Sequence, residues 1–111
     1  PGSVVFDPRV MTRGDARGAE KLFTESLRFD PTNFTAKNNL VLARAALRKY
    51  DLPVVTMTQT ERAMLFYTAG LAAVKQGDVA IGRSLLQEAL DTHPQYFDEA
   101  ARAIAALDNS G

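Results

Sequence analysis

The sequence predicts an all-α fold built from antiparallel helix pairs. Three observations carry this. Four segments repeat apolar residues at helical spacing, and none alternates with the period of two that a strand needs. Cap residues, Gly-Asp and Pro punctuate the ends of those segments. The chain also matches itself when shifted by 63 residues.

The first helix is expected from about Ala16 to Phe29, with Asp15 as its N-cap. Ala19, Leu22, Phe23, Ser26 and Leu27 fall on one face. Asp30-Pro31 closes it, because proline disfavours helix in the residue before it. A second helix is expected from Thr35 to Lys49, with Leu40, Ala43, Leu47 and Tyr50 marking its apolar stripe. Asp51 to Thr58 holds Pro53, Val54, Val55 and Thr56, and so reads as an extended connection. Thr58 and Glu61 have the spacing of a capping box.

The third helix follows from Gln59 to Gln76, with Ala63, Phe66, Ala69, Gly70 and Ala73 inward. Gly77-Asp78 ends it and is expected to cap a fourth, from Val79 to Thr92, whose inward residues are Leu85, Leu86, Ala89 and Leu90. His93-Pro94 closes that helix. A fifth, from Tyr96 to Leu107, is rich in Ala, and Asp108 to Gly111 reads as a frayed tail. Pro1-Gly2-Ser3 reads as a protease-cleavage scar, leaving residues 4–107 as one helical-repeat domain. Val4, Val5, Phe6, Val10 and Met11, interrupted by Asp7-Pro8, are expected to form a short or broken helix.

In the self-match, Gly14-Asp15 falls on Gly77-Asp78, Leu22 on Leu85, Phe23 on Leu86, Leu27 on Leu90, Pro31 on Pro94 and Phe34 on Phe97. Repetition of helix pairs at a fixed period marks a helical solenoid. Ala19-x3-Phe23 leads to Pro31, and Gly82-x3-Leu86 leads to Pro94. Phe66, Ala69 and Gly70 follow in the order aromatic, apolar, small. These features resemble the tetratricopeptide repeat (TPR), whose period is about 34 residues. The resemblance covers roughly residues 14–107 and implies a short right-handed solenoid. Lys37 and Val41 depart from the pattern. The shift is also about five residues short of two full repeats. A second helix is missing after Tyr50, which makes the middle repeat degenerate.

Asn38-Asn39-Leu40, Lys75-Gln76-Gly77-Asp78 and the Leu85-Leu86…Ala89…Thr92-His93-Pro94 run resemble the TPR lipoprotein of the tight-adherence (Tad, or Flp) pilus apparatus. That resemblance implies a periplasmic, outer-membrane-anchored adaptor or assembly factor whose partner is a secretin or pilus component. The residues also fit two other readings. One is a cytoplasmic TPR scaffold or chaperone-type adaptor, and the other is a self-associating piece of a longer solenoid.

Composition narrows the function classes. The 111 residues carry no net charge, so no global basic field is available to hold nucleic acid. Cysteine is absent, which removes disulfides, thiolate zinc sites and cysteine nucleophiles. No apolar run approaches the ~20 residues that span a bilayer.

No catalytic, metal or cofactor site is expected, and an enzyme is not the reading the residues support. The single histidine, His93, stands at a helix end and reads as a capping or packing residue. Glu88 and Asp91 read as solvated, and adjacent Asp98 and Glu99 diverge on a helix. Gly14-x3-Gly18 and Gly77-x4-Gly82 lack the strand and the Lys-Ser/Thr of a phosphate loop. Ser3, Ser26, Ser84 and Ser110 carry no nucleophile motif. Arg44, Arg48 and Lys49 fall close together, either as a basic patch or as a solvated face.

A binding role needs a surface. The resemblance implies a concave face lined by the first helix of each pair. The candidates there are Thr35, Asn38, Asn39 and Leu42, with Met64, Tyr67, Thr68, Leu71 and Lys75. Ala45, Ala46 and Val74 continue the same faces. Asn38 and Asn39 suit a peptide backbone, and Tyr67 with Leu71 suits an apolar anchor. For Leu42, Leu71 and Val74 the competing expectation is burial against neighbouring helices. Thr35, Met64 and Thr68 stand where co-chaperone TPR domains place cations, so no clamp on a C-terminal carboxylate is expected.

Overall fold

The structure is a computed structural model that describes residues 12–110. Among those residues it contains five helices and no strand: α1 (Arg13–Phe29), α2 (Phe34–Ala46), α3 (Gln59–Lys75), α4 (Val79–Thr92) and α5 (Asp98–Asn109). The broken helix expected over 4–11 lies outside the described residues. Each helix packs principally on its neighbours in sequence, and the α3–α4 pair makes the most extensive contact. No described helix is long and apolar enough to cross a membrane.

Local chemistry sets the boundaries. α1 starts three residues earlier than expected, because Thr12 and not Asp15 is its N-cap. The Thr12 side chain accepts the Asp15 backbone N–H at 3.0 Å. Asp15 then contributes its charge to the first turn. Asn33 caps α2 by accepting from Ala36 N–H. Thr58 and Glu61 form the expected capping box on α3.

α2 stops at Ala46, three residues short of the expected Lys49. Arg48 N–H donates to Ala45 C=O and Lys49 N–H to Arg44 C=O. This is a Schellman closure, with Arg48 in the left-handed region at φ 59°. Gly77, at φ 91°, closes α3 with the same pair of bonds, from Gly77 N–H to Val74 C=O and from Asp78 N–H to Ala73 C=O. Glycine announces such a stop in a sequence, whereas arginine hides it.

Asp78 does not use its side chain to cap α4. Its carboxylate instead bonds the Tyr50 hydroxyl and pairs with Arg48. Gln76 Nε2 donates to Tyr50 Oη at 2.9 Å and to Ala45 C=O at 2.7 Å. This polar node fastens the end of α2 to the α3–α4 turn. The Tyr50 hydroxyl, followed by Arg48, holds the Asp78 carboxyl below the usual range. Burial, with the Asp78 bond next, pushes the Tyr50 phenol above its ordinary value.

The α3–α4 crossing depends on missing side chains. A Cβ on Gly82 would lie 2.4 Å from Val74 Cγ2 and 2.8 Å from Gly70 C=O. A Cβ on Gly70 would lie 3.0 Å from Leu86 Cγ. The two backbones meet because neither glycine keeps them apart.

The 47–58 connection packs its apolar side chains against the helices around it. Leu52 and Met57 pack on Val41, Leu65 and Ala69. Val55 packs on Leu27, Ala36 and Leu40. Lys37 and Val41, which depart from the repeat pattern, are both buried in this region.

Leu22 was expected on the buried face of α1 but is 61% exposed. Its repeat counterpart Leu85 packs against Tyr50, Ala72 and Leu65. α4 is flanked by both α3 and α5, whereas α1 packs chiefly on α2.

α5 starts two residues later than expected, because Phe97 leaves the helical region to bury against Ala63, Ala89 and Ala100. It runs on to Asn109, where a frayed tail was expected. Asp108 there makes a two-bond fork with Arg83 of α4, each bond 2.7 Å.

Candidate functional site

A groove of about 430 Å³ opens between α2, α3 and the α4–α5 turn. Smaller grooves of about 280 and 300 Å³ flank the 53–58 connection. The large groove has a floor of stacked rings. Phe97 is buried, with Tyr67 on one side at a centroid distance of 5.2 Å and His93 at 4.9 Å. Both pairs are tilted, an arrangement aromatic rings favour over flat stacking. Tyr96 stands at the rim, 74% exposed.

His93 is placed by its own turn. Its Nδ1 accepts the Gln95 backbone N–H at 3.0 Å, so in the neutral ring the proton sits on Nε2. It caps α4 and packs on Phe97, as the capping or packing reading of the sequence expected, and it also lines the groove.

The α2 wall is polar. Thr68 Oγ1 donates to Asn38 Oδ1 at 2.6 Å, and Met64 C=O lies 3.1 Å from the same hydroxyl. The shorter contact takes the proton. Asn38 Oδ1 is thereby occupied, and its amide donors remain for a ligand carbonyl. Glu99, in the first turn of α5, contributes a carboxylate.

Of the nine candidates, the fold brings Asn38, Met64, Tyr67 and Thr68 together in this groove. Asn39 is 5% exposed and presents no surface to a partner. Leu42 packs against Ala45, Tyr50, Ala72 and Ala73. Successive helical residues point about 100° apart, so Asn38 and Asn39 cannot share a face. Thr35 and Lys75 are exposed and Leu71 half-buried, and none of the three lines the groove. Ala45 is buried, and the Val74 side chain lies against the Gly82 backbone.

Phe34, His93, Tyr96, Phe97 and Glu99 line the groove and were not among the candidates. The signal available was the dense run of ring-bearing residues after α4, from His93 to Phe97. Its position opposite α3 depends on how α5 docks.

Arg44, Arg48 and Lys49 do not form a free basic patch. Arg44 pairs with Glu20 and Asp51, Lys49 with Glu20, and Arg48 with Asp78. No group of three or more His, Asp or Glu among the described residues is placed to hold a metal ion.

Among known proteins, no family model, curated sequence or solved structure matches this chain.

Proposed function

We propose that this chain is a non-catalytic protein-interaction module of the TPR type, which holds a segment of a partner protein in the groove between α2, α3 and the start of α5. The observation that carries this is the groove itself. A rigid aromatic floor, an exposed tyrosine at the rim and a fixed Asn38–Thr68 pair combine apolar anchoring with backbone recognition. The TPR reading is supported by neighbour-to-neighbour helix packing and by the glycine crossing of α3 and α4.

The narrower reading is an adaptor of a Tad-type pilus apparatus, with a secretin or pilus component as partner. Its support is the resemblance of the Asn38-Asn39-Leu40 and Leu85…Pro94 runs.

A photo-crosslinking residue at Met64, used in extract of the source organism, tests both readings. Enrichment of a secretin or pilus component, lost when Tyr96→Ala is added, supports them. A partner that crosslinks equally well with Tyr96→Ala, or only from Thr35 or Lys75, moves binding off the groove. A groove-dependent partner unrelated to pili removes the Tad reading alone.

A further inference from the structure

The groove is lined by rings and by one carboxylate, Glu99, and among the described residues no Lys or Arg lines it. Nearby cations are committed elsewhere. Lys37 is buried on Glu61, and Arg102 pairs with Asp98. Arg62 of α3 is exposed but does not line the groove.

An aromatic face carries partial negative charge and attracts cations, most strongly where water is partly excluded. Tyr67, packed on the buried Phe97, and the exposed rim residue Tyr96 supply such rings. The start of α5 adds a fractional positive charge, about half a unit. The full charge of Glu99 outweighs it, since Asp98 is balanced by Arg102. The groove therefore favours a positive occupant and disfavours a carboxylate.

Building on the peptide-binding reading of this groove, we infer that it selects a partner segment presenting a lysine or arginine side chain, seated over Tyr67 and Tyr96 and paired with Glu99. Asn38 then has its amide donors for the carbonyl of the same segment. The polarity is the reverse of a carboxylate clamp: the protein supplies the anion and the rings, and the partner supplies the cation.

A displayed random heptapeptide library, selected on the full chain and on its Glu99→Gln and Tyr96→Ala variants, tests this. Glu99 and Tyr96 are both exposed, so neither substitution disturbs the core, and circular dichroism checks that each variant is folded. The expected result is a consensus with Lys or Arg at one fixed position, lost on Glu99→Gln. A fluorescein-labelled consensus peptide should lose about tenfold in affinity when that residue is replaced by its neutral counterpart, norleucine for lysine or citrulline for arginine. Peptides that depend on Tyr96 but carry no fixed cation, or tolerate the neutral counterpart or Glu99→Gln, overturn this inference and leave the groove as a peptide site. An acidic consensus overturns it too. If the wild type selects nothing beyond what Tyr96→Ala selects, the peptide-binding reading itself falls.

Discussion

The ammonium of Lys37 lies 3.0 Å from Glu61 Oε1, the oxygen that also accepts the Thr58 backbone N–H. One carboxylate thus completes the capping box of α3 and anchors a lysine that is only 2% exposed on α2. The pair is one of the polar links between α2 and α3, beside Asn38–Thr68 and Gln76–Ala45. Lys37→Met keeps the buried stem and loses the pair, and should cost about 1 kcal/mol. Lys37→Ala also opens a cavity and should cost about 2–3 kcal/mol. Urea unfolding of both variants checks the order.

The same carboxylate sets an acid limit. The Thr58 N–H, and then Lys37, hold the Glu61 carboxyl below its ordinary range. Its contribution is fully present above the unfolded value of about 4.3 and is lost as pH falls through the lower folded value. Asp78, held down mainly by the Tyr50 hydroxyl, acts in the same direction. Unfolding free energy should fall from pH 5 toward pH 2, and less steeply in Glu61→Gln.

Tyr50 sets the opposite limit. Its folded phenol titrates above the ordinary value of about 10, through burial and the bond to Asp78. That contribution is complete below the unfolded value and is lost as pH rises through the folded one. Tyr50→Phe should cost about 1–2 kcal/mol at pH 7 and should flatten the decline above pH 10. Denaturant titrations at pH 7 and pH 11 measure both effects.

Two glycines should respond oppositely to alanine. A Cβ at Gly82 meets Val74 Cγ2 and the Gly70 backbone, so Gly82→Ala should cost about 2 kcal/mol despite better helix propensity. At Gly18 a Cβ meets nothing within 4 Å, so Gly18→Ala should stabilise by about 0.5–1 kcal/mol. Thermal melts distinguish the two.

Arg48→Gly separates conformation from charge. It relieves a left-handed arginine and removes the pair with Asp78. Exposed ion pairs contribute little, so the melting temperature should rise. A fall would show that the Asp78 pair matters more than the backbone.

The helices were largely legible in the sequence because their boundary chemistry is local. The Thr58–Glu61 box and the Gly77 stop act within a few residues of the ends they define. The end of α2 was not, because Arg48 takes a conformation that glycine normally signals. The groove was half legible. Helical spacing finds Met64, Tyr67 and Thr68 on one helix, but the rings after α4 reach them only through the docking of α5.

By itself the sequence determined the all-α class, the α3 cap and the extent of α4. All of these depend on periodicity and on bonds a few residues long. Only the tertiary structure decided that Lys37 is buried on Glu61, that Asp78 serves Tyr50 and not its own helix, that Asn39 is buried and that Leu42 packs on Ala45, Tyr50, Ala72 and Ala73. Each of these turns on a partner brought close only by packing, or on which side of a helix its neighbours occupy. Spacing along one chain does not record either.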